Sequence, residues 1–259
     1  MTTIDANREI LYYSVSGEGP ALILLHAVGA KGDLWADAIK ILQDRFTVYV
    51  FDLRGHGVSS LNGPMTADDM ARDLESVIGA LDLGPCHLVG SSLGASVAVK
   101  LAATRPGIVK SLFVSGIGLA PDPVLTDEIY GIREAVHYLA DEDFAYQIAE
   151  ALLIPDAPQP SIDGLRDGIL AQTKQKYLTA LEAMQAADLT EFASKVSAPT
   201  FVLHGTMDEL VPLEQAEALA NALPEGSINS LANAGQIAYL DNPTGFGAAL
   251  SGFLDRQST

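Results

Sequence analysis

The sequence predicts an α/β fold built on a mostly parallel sheet, and three observations carry that reading. Short aliphatic and β-branched runs alternate with longer amphipathic stretches, the order that parallel strands joined by helical crossovers require. Three of the runs, Ala-Leu-Ile-Leu-Leu from Ala21, Thr-Val-Tyr-Val-Phe from Thr47 and Thr-Phe-Val-Leu-His from Thr200, are almost continuously apolar, as expected of strands covered by helices on both faces. The 259 residues, 48% hydrophobic and 19% charged, suffice for a large buried core in one domain carrying an insertion.

In chain order, strands are expected at Glu9–Val15, Ala21–Ala27, Phe46–Asp52, His87–Ser91, Lys110–Ser115, Thr200–Gly205 and Ser227–Leu231. Amphipathic periodicity places helices near Asp33–Gln43, Thr66–Leu81, Leu93–Ala103, Leu213–Ala222 and Thr244–Leu254. Between Leu119 and Val196 the alternation stops. That stretch reads as several helices interrupted at Ile154-Pro-Asp-Ala-Pro-Gln-Pro160. Helices inserted between two strands of a parallel sheet are expected to cover the strands' carboxyl ends, where such folds place ligands. The expected organisation is a core of residues 1–118 and 197–259 with a helical cap at 119–196.

Composition excludes several function classes. With 15 Lys and Arg against 33 Asp and Glu the formal charge is −18, which opposes phosphate backbones and anionic lipid surfaces. Neither nucleic acid nor membrane is expected as a partner. The one cysteine, Cys86, rules out an intrachain disulfide framework and a cysteine-based metal cluster. No cationic flank leads into an apolar signal core at Met1–Glu9, and no apolar run is long enough to span a bilayer, so the chain reads as cytoplasmic. The cap carries five of the cations, Arg133, Arg166, Lys174, Lys176 and Lys195, against fourteen acidic residues, the pattern of a solvated outer face.

The strongest chemical signal is Gly90-Ser91-Ser92-Leu93-Gly94, between the strand Cys-His-Leu-Val-Gly and the helix starting at Leu93. G-x-S-x-G between a strand and a helix describes a nucleophile elbow, in which glycines two before and two after the serine relieve the crowding of a sharp bend. Ser92 is then the nucleophile; Ser91 lacks the symmetric glycines. A helix N-terminus beside it favours developing negative charge. The loop Leu25-His-Ala-Val-Gly-Ala30 follows an apolar strand, and in such a site the two oxyanion donors come from this loop and from the residue after the nucleophile. These are the backbone N–H groups of Val28 and Leu93. Asp208, three residues beyond the Thr200–Gly205 strand, puts a carboxylate on the same edge; its neighbour Glu209 is in a more exposed register. His26, Arg54 and His56 read as loop-shaping residues.

Taken together these residues resemble the α/β-hydrolase family, and within it enol-lactonases of the 3-oxoadipate type and related small esterases. The resemblance runs through Phe51-Asp-Leu-Arg-Gly-His-Gly57, Gly-Ser-Ser-Leu-Gly, Ala187-Asp-Leu-Thr-Glu191, His204-Gly-Thr-Met-Asp-Glu-Leu-Val-Pro212 and Ala234-Gly-Gln-Ile-Ala-Tyr-Leu-Asp-Asn-Pro243. It implies acyl transfer by a Ser–His–Asp triad without metal or organic cofactor, on a small-molecule ester or lactone. An oxoadipate-type lactone would want a cation facing the pocket, for which Arg133, Arg166, Lys174 and Lys176 are the candidates.

One position departs from the pattern. Where the family has Ala-Gly-His, this chain has Gln236. An amide can hydrogen-bond to Ser92 but cannot take its proton near neutral pH and return it to a leaving group. In a subtilisin-type protease, loss of the histidine costs roughly 10⁶ in turnover, of order 8 kcal/mol of barrier. His26, His56, His87, His137 and His204 are the other histidines, and none follows the final strand from which an imidazole would bridge Asp208 and Ser92. The expected function is therefore a serine ester or lactone hydrolase slowed or silenced at its base position. The alternative is a natural variant using the pocket for ligand binding or for a base-independent reaction. A purely structural protein would explain none of the site residues. Oligomeric state is not legible.

Overall fold

The computed structural model describes residues 2–121 and 123–257, the side chains of 123–128 apart. Eight strands form one sheet. β1 (Thr2–Ala6) and β2 (Glu9–Ser16) are antiparallel, joined by Asn7 and Arg8, both at positive φ, the conformation a two-residue hairpin turn requires. β3 (Ala21–Leu25) lies between β4 (Thr47–Phe51) and β5 (Cys86–Ser91), and β6 (Val109–Ser115), β7 (Thr200–Gly205) and β8 (Gly226–Leu231) follow in order. The spatial order is β1-β2-β4-β3-β5-β6-β7-β8, parallel from β4 to β8, with β2 antiparallel to β4. The sequence reading leaves Thr2–Ala6 outside the sheet. The run is short and polar because it is an edge strand with most of its side chains exposed.

Around the sheet pack α1 (Ala36–Leu42), α2 (Ala67–Ala80) and α3 (Leu93–Thr104), the second capped by Thr66 Oγ1 accepting from Asp69 N at 3.0 Å. From Leu93 to Ala103 every residue of α3 is buried, so this helix sits in the core rather than on it. Lys100 is tolerated there because its Nζ reaches Asp68 at 2.9 Å and lies 4.1 Å over the Phe192 ring.

Between β6 and β7 run α4 (Pro123–Tyr138), α5 (Asp141–Leu152), α6 (Gln159–Leu170), α7 (Lys174–Gln185) and the short α8 (Thr190–Ala193). The break between α5 and α6 falls on the proline-rich segment. The chain then continues through α9 (Leu213–Ala222), α10 (Ala238–Asp241) and α11 (Pro243–Arg256). Phe113 on β6 stacks on Phe201 of β7 and meets Phe246 edge-on, both at 5.3 Å between centroids, which seats α11 on the sheet.

Strand register decides where the site lies. Leu25 pairs with Gly90, Ser91 with Ser115 and Gly205 with Leu231, so the loops that leave β3, β5, β6, β7 and β8 emerge side by side at one edge. Gly29 in the loop after β3 lies beneath α6 and α7: a Cβ there would come within 2.9 Å of both Tyr177 and Ile169.

Candidate active site

Ser92 connects β5 to α3 at φ 54° and ψ −117°, a backbone conformation costly for any residue with a Cβ. Its surroundings permit no slack. A Cβ on Gly90 would lie 2.6 Å from Ala95 Cα, and one on Gly94 would lie 2.4 Å from the Leu25 carbonyl oxygen. The bend is fixed by Ser92 N–H donating to Ser115 O at 2.9 Å and by Ala95 N–H and Ser96 N–H donating to Ser92 O at 3.0 and 3.1 Å. Ser92 is buried, and its hydroxyl donates to Met184 Sδ of α7 at 2.6 Å.

The loop after β3 is shaped by His26. Its Nε2 accepts from Leu53 N at 3.0 Å, so the proton resides on Nδ1, which donates to Ala27 O at 2.8 Å. Burial pushes this imidazole down to about 4, and His56, 4.9 Å away between centroids, is pushed by burial and by His26 to about 3. Both are neutral near pH 7. Gly94 N–H donates to His26 O at 3.2 Å, tying this loop to the start of α3. Among the described residues no hydrogen bond engages the N–H of Val28 or of Leu93.

Asp208 sits in the turn after β7. Its Oδ1 accepts from Leu210 N and Val211 N, each at 3.0 Å, while Oδ2 is shielded from solvent and has no partner among the described residues. Burial, with a smaller contribution from the charge of Asp241, pushes this carboxyl up to about 6 despite its two backbone bonds. The turn is laced to the loop after β8 by Met207 N–H donating to Ala234 O at 2.9 Å.

Gln236 lies in that second loop, buried. Its Nε2 donates to Gly116 O at 3.0 Å and its Oε1 is shielded and unpaired. Gly116 must be glycine here, at φ +62° with the Gln236 carbonyl oxygen 2.3 Å from where a Cβ would stand. The amide thus spends its donor on the end of β6 and makes no hydrogen bond to Ser92 or Asp208. The glutamine–serine bond that the sequence permits is not formed.

Sequence reasoning assigned no role to two further residues. Asp241 in α10 accepts from Gly235 N at 2.8 Å through one oxygen and from Ile154 N at 2.9 Å through the other, so it clamps the Gln236 loop to the segment between α5 and α6. Its only signal in the sequence is a carboxylate inside the Tyr239-Leu-Asp-Asn-Pro243 run. Met184 had no signal, since a methionine on a helix reads as packing.

Ser92, Val28 and Gln236 share a narrow cavity of about 10 Å³ whose other walls, including Ala27, Leu181, Met184, Leu210 and Ile237, are apolar apart from Tyr177. Asp208 does not line it but lies in the turn just before Leu210, which does. On the outer side of Gln236 a wider space of about 370 Å³ carries Glu150 and Glu209. The cations between β6 and β7 are engaged elsewhere: Arg133 pairs with Glu182 at 2.6 Å, Arg166 with Asp163 and Asp167 at 3.2 and 2.9 Å, and Lys174 with Asp141 at 3.3 Å. Lys176 lines an outer groove with Lys174. The remaining histidines are not at Ser92 either: His87 Nδ1 bonds Ser111 Oγ at 2.7 Å, His204 is buried in β7, and His137 is exposed on α4.

The chain is 34% identical over 226 residues to the pimeloyl-[acyl-carrier protein] methyl ester esterase of Methylococcus capsulatus, covering 81% of this chain and 85% of that one. It is 29% identical over 252 residues to a protein of Pseudomonas syringae named carbamate hydrolase RutD, covering 93% and 95%. The solved enol-lactonase from Burkholderia xenovorans shares its fold, with a TM-score of 0.84, 24% identity and coverage of 98% and 100%. The family model for the alpha/beta hydrolase fold matches residues 20–243, and this chain belongs to that family.

Proposed function

We propose that the chain is a serine acyl-transfer site of the carboxylic ester or lactone type, held in a form that lacks its proton carrier. Ser92 is the nucleophile, the N–H groups of Val28 and Leu93 receive the oxyanion, and Asp208 is the acid that would orient a base at position 236. The observation that carries this reading is Ser92 at a strained bend beside two backbone donors with no other partner. A strained residue and unspent donors are costly to keep without use. Residues 119–196 form the cap over the core of 1–118 and 197–259.

In the acylation step a bond forms between Ser92 Oγ and the acyl carbon while the bond from that carbon to the leaving oxygen breaks. The hydroxyl proton must leave at the same time. With an imidazole at 236 it would pass to the base and on to the leaving group. With Gln236 it has only water or the leaving group itself, because an amide nitrogen is not basic. What remains is stabilisation by the backbone donors and binding, worth roughly 10³–10⁴ over water in a comparable site. Activated esters are therefore expected to acylate Ser92 slowly and to be released more slowly still. The unpaired Asp208 Oδ2 supports this assignment, since it is the acceptor an imidazole N–H would fill. No helix among the described residues is long and apolar enough to cross a membrane; with the strong negative charge this fits a cytoplasmic protein acting on small molecules.

The test is Gln236→His. Hydrolysis of p-nitrophenyl acetate is expected to rise by at least 10⁴-fold, or about 5.5 kcal/mol of barrier, with a rate that increases through the pKa of the new imidazole. A protein that folds normally and gains less than tenfold would overturn the assignment. Ligand binding that survives Ser92→Ala, with no acyl adduct in the parent chain, would favour the non-hydrolytic reading.

A further inference from the structure

A carbonyl carbon must come within about 3–3.5 Å of a nucleophile to react, and in this structure Met184 Sδ already stands 2.6 Å from Ser92 Oγ. No acyl group can reach the serine until the thioether moves. Met184 also forms a wall of a second cavity of about 40 Å³, lined by Ser96, Gly116, Ile117, Val211 and Gln215 among others. Met184 and Leu210 line both that space and the one holding Ser92 and Gln236, and of the two only Met184 touches the serine hydroxyl. An unbranched side chain with three rotatable bonds can swing from one position to the other.

We propose that Met184 is the specificity-determining partition of this site: on swinging aside it fills the cavity behind it, so Ser92 receives a short, uncharged acyl chain, while the space for a longer one is present but occupied. The proposal takes its chemistry from the acyl-transfer reading of Ser92. That the acyl group is uncharged follows from the walls. Among the described residues no Lys or Arg lines either cavity or the outer space, and the charged groups at the mouth are Glu150 and Glu209. A carboxylate drawn into such a pocket would lose its water without gaining a counter-charge. A neutral chain exchanges water for apolar contact and meets no such penalty. This separates the chain from any site built for a dicarboxylic lactone.

The experiment measures the rate at which p-nitrophenyl acetate, butanoate, hexanoate and octanoate add an acyl group to Ser92, read by intact mass. It compares the parent chain, Met184→Ala and Met184→Leu. Each reaction joins the acyl carbon to Oγ and expels nitrophenolate, the hydroxyl proton going to solvent. The parent is expected to take acetate or butanoate at least tenfold faster than octanoate. Met184→Ala, which removes the methionine's part of the lining common to both cavities, should raise octanoate relative to acetate by at least tenfold, whereas Met184→Leu, which keeps the volume, should retain the parent order. The mono-p-nitrophenyl ester of glutaric acid should react at least tenfold slower than the hexanoate in all three. An unchanged length order in Met184→Ala, or a glutarate ester that keeps pace, would overturn the proposal. If no ester labels Ser92 in any of the proteins, the acyl-transfer reading fails by itself. The partition is then judged by calorimetry of N-methylbutanamide and N-methyloctanamide on Ser92→Ala with and without Met184→Ala, where the same reversal is expected and its absence overturns the proposal.

Discussion

Replacing Asp208 with asparagine is expected to stabilise the protein increasingly as pH rises. Burial raises the folded-state carboxyl to about 6, against the ordinary carboxylate value of about 4 in the unfolded chain. Between those two values the native state holds a proton that the unfolded state has released, so the stability contributed by this group falls as pH climbs through the window and is lowest above 6. Asparagine removes the titration and keeps an oxygen to accept from Leu210 N and Val211 N. Over the whole window the charge penalty is about 3 kcal/mol, and between pH 5 and pH 8 it changes by about 1–1.5 kcal/mol. The new side-chain N–H has a pH-independent cost of about 1–3 kcal/mol if it finds no acceptor, so the change with pH is the clean signal. Urea unfolding of both proteins at pH 5, 6 and 8 measures it. A stability difference between the two that stays flat, or moves against asparagine as pH rises, would refute the claim that Asp208 is an uncompensated carboxylate awaiting a partner.

Two further outcomes follow from the geometry. Ser92→Gly should raise unfolding free energy by up to about 2.5 kcal/mol, because relief of the positive-φ bend, of order 1–3 kcal/mol, outweighs the backbone entropy of glycine at about 0.5–1 kcal/mol; Ser92→Ala, which keeps the strain, should show no such gain in denaturant titrations. Arg54→Met should cost about 3–5 kcal/mol, since the buried guanidinium bonds Asp73 at 2.6 and 2.5 Å and lies 3.8 Å from Glu9, leaving two buried carboxylates without a cation when it is removed; a loss under 1 kcal/mol by chemical denaturation would contradict that role.

Much of this was legible in the chain because local pattern and tertiary demand agree. The apolar runs at Ala21, Thr47 and Thr200 are buried strands, and the glycines around Ser92 stand where a Cβ would strike backbone. His26 was readable as a loop residue, and its two bonds explain why. What the sequence left open depends on side-chain direction across elements. Nothing local says that Gln236 turns its amide to Gly116, that Met184 reaches across from α7 to the serine, or that Asp241 clamps two loops from a third element. The directions of Arg133, Arg166 and Lys174 are likewise set by acidic partners on the same run of helices between β6 and β7, which no local pattern reveals. β1 is not legible for a different reason: an exposed edge strand has no buried face to impose alternation.

The central claim, that Ser92 accepts an acyl group and that position 236 alone withholds turnover, is tested most directly by intact mass spectrometry after exposure to p-nitrophenyl acetate. The account predicts one persistent acetyl group on Ser92 in the parent chain, none in Ser92→Ala, and rapid release of product without accumulation in Gln236→His. An unmodified parent chain, or an adduct that forms equally well in Ser92→Ala, would contradict it.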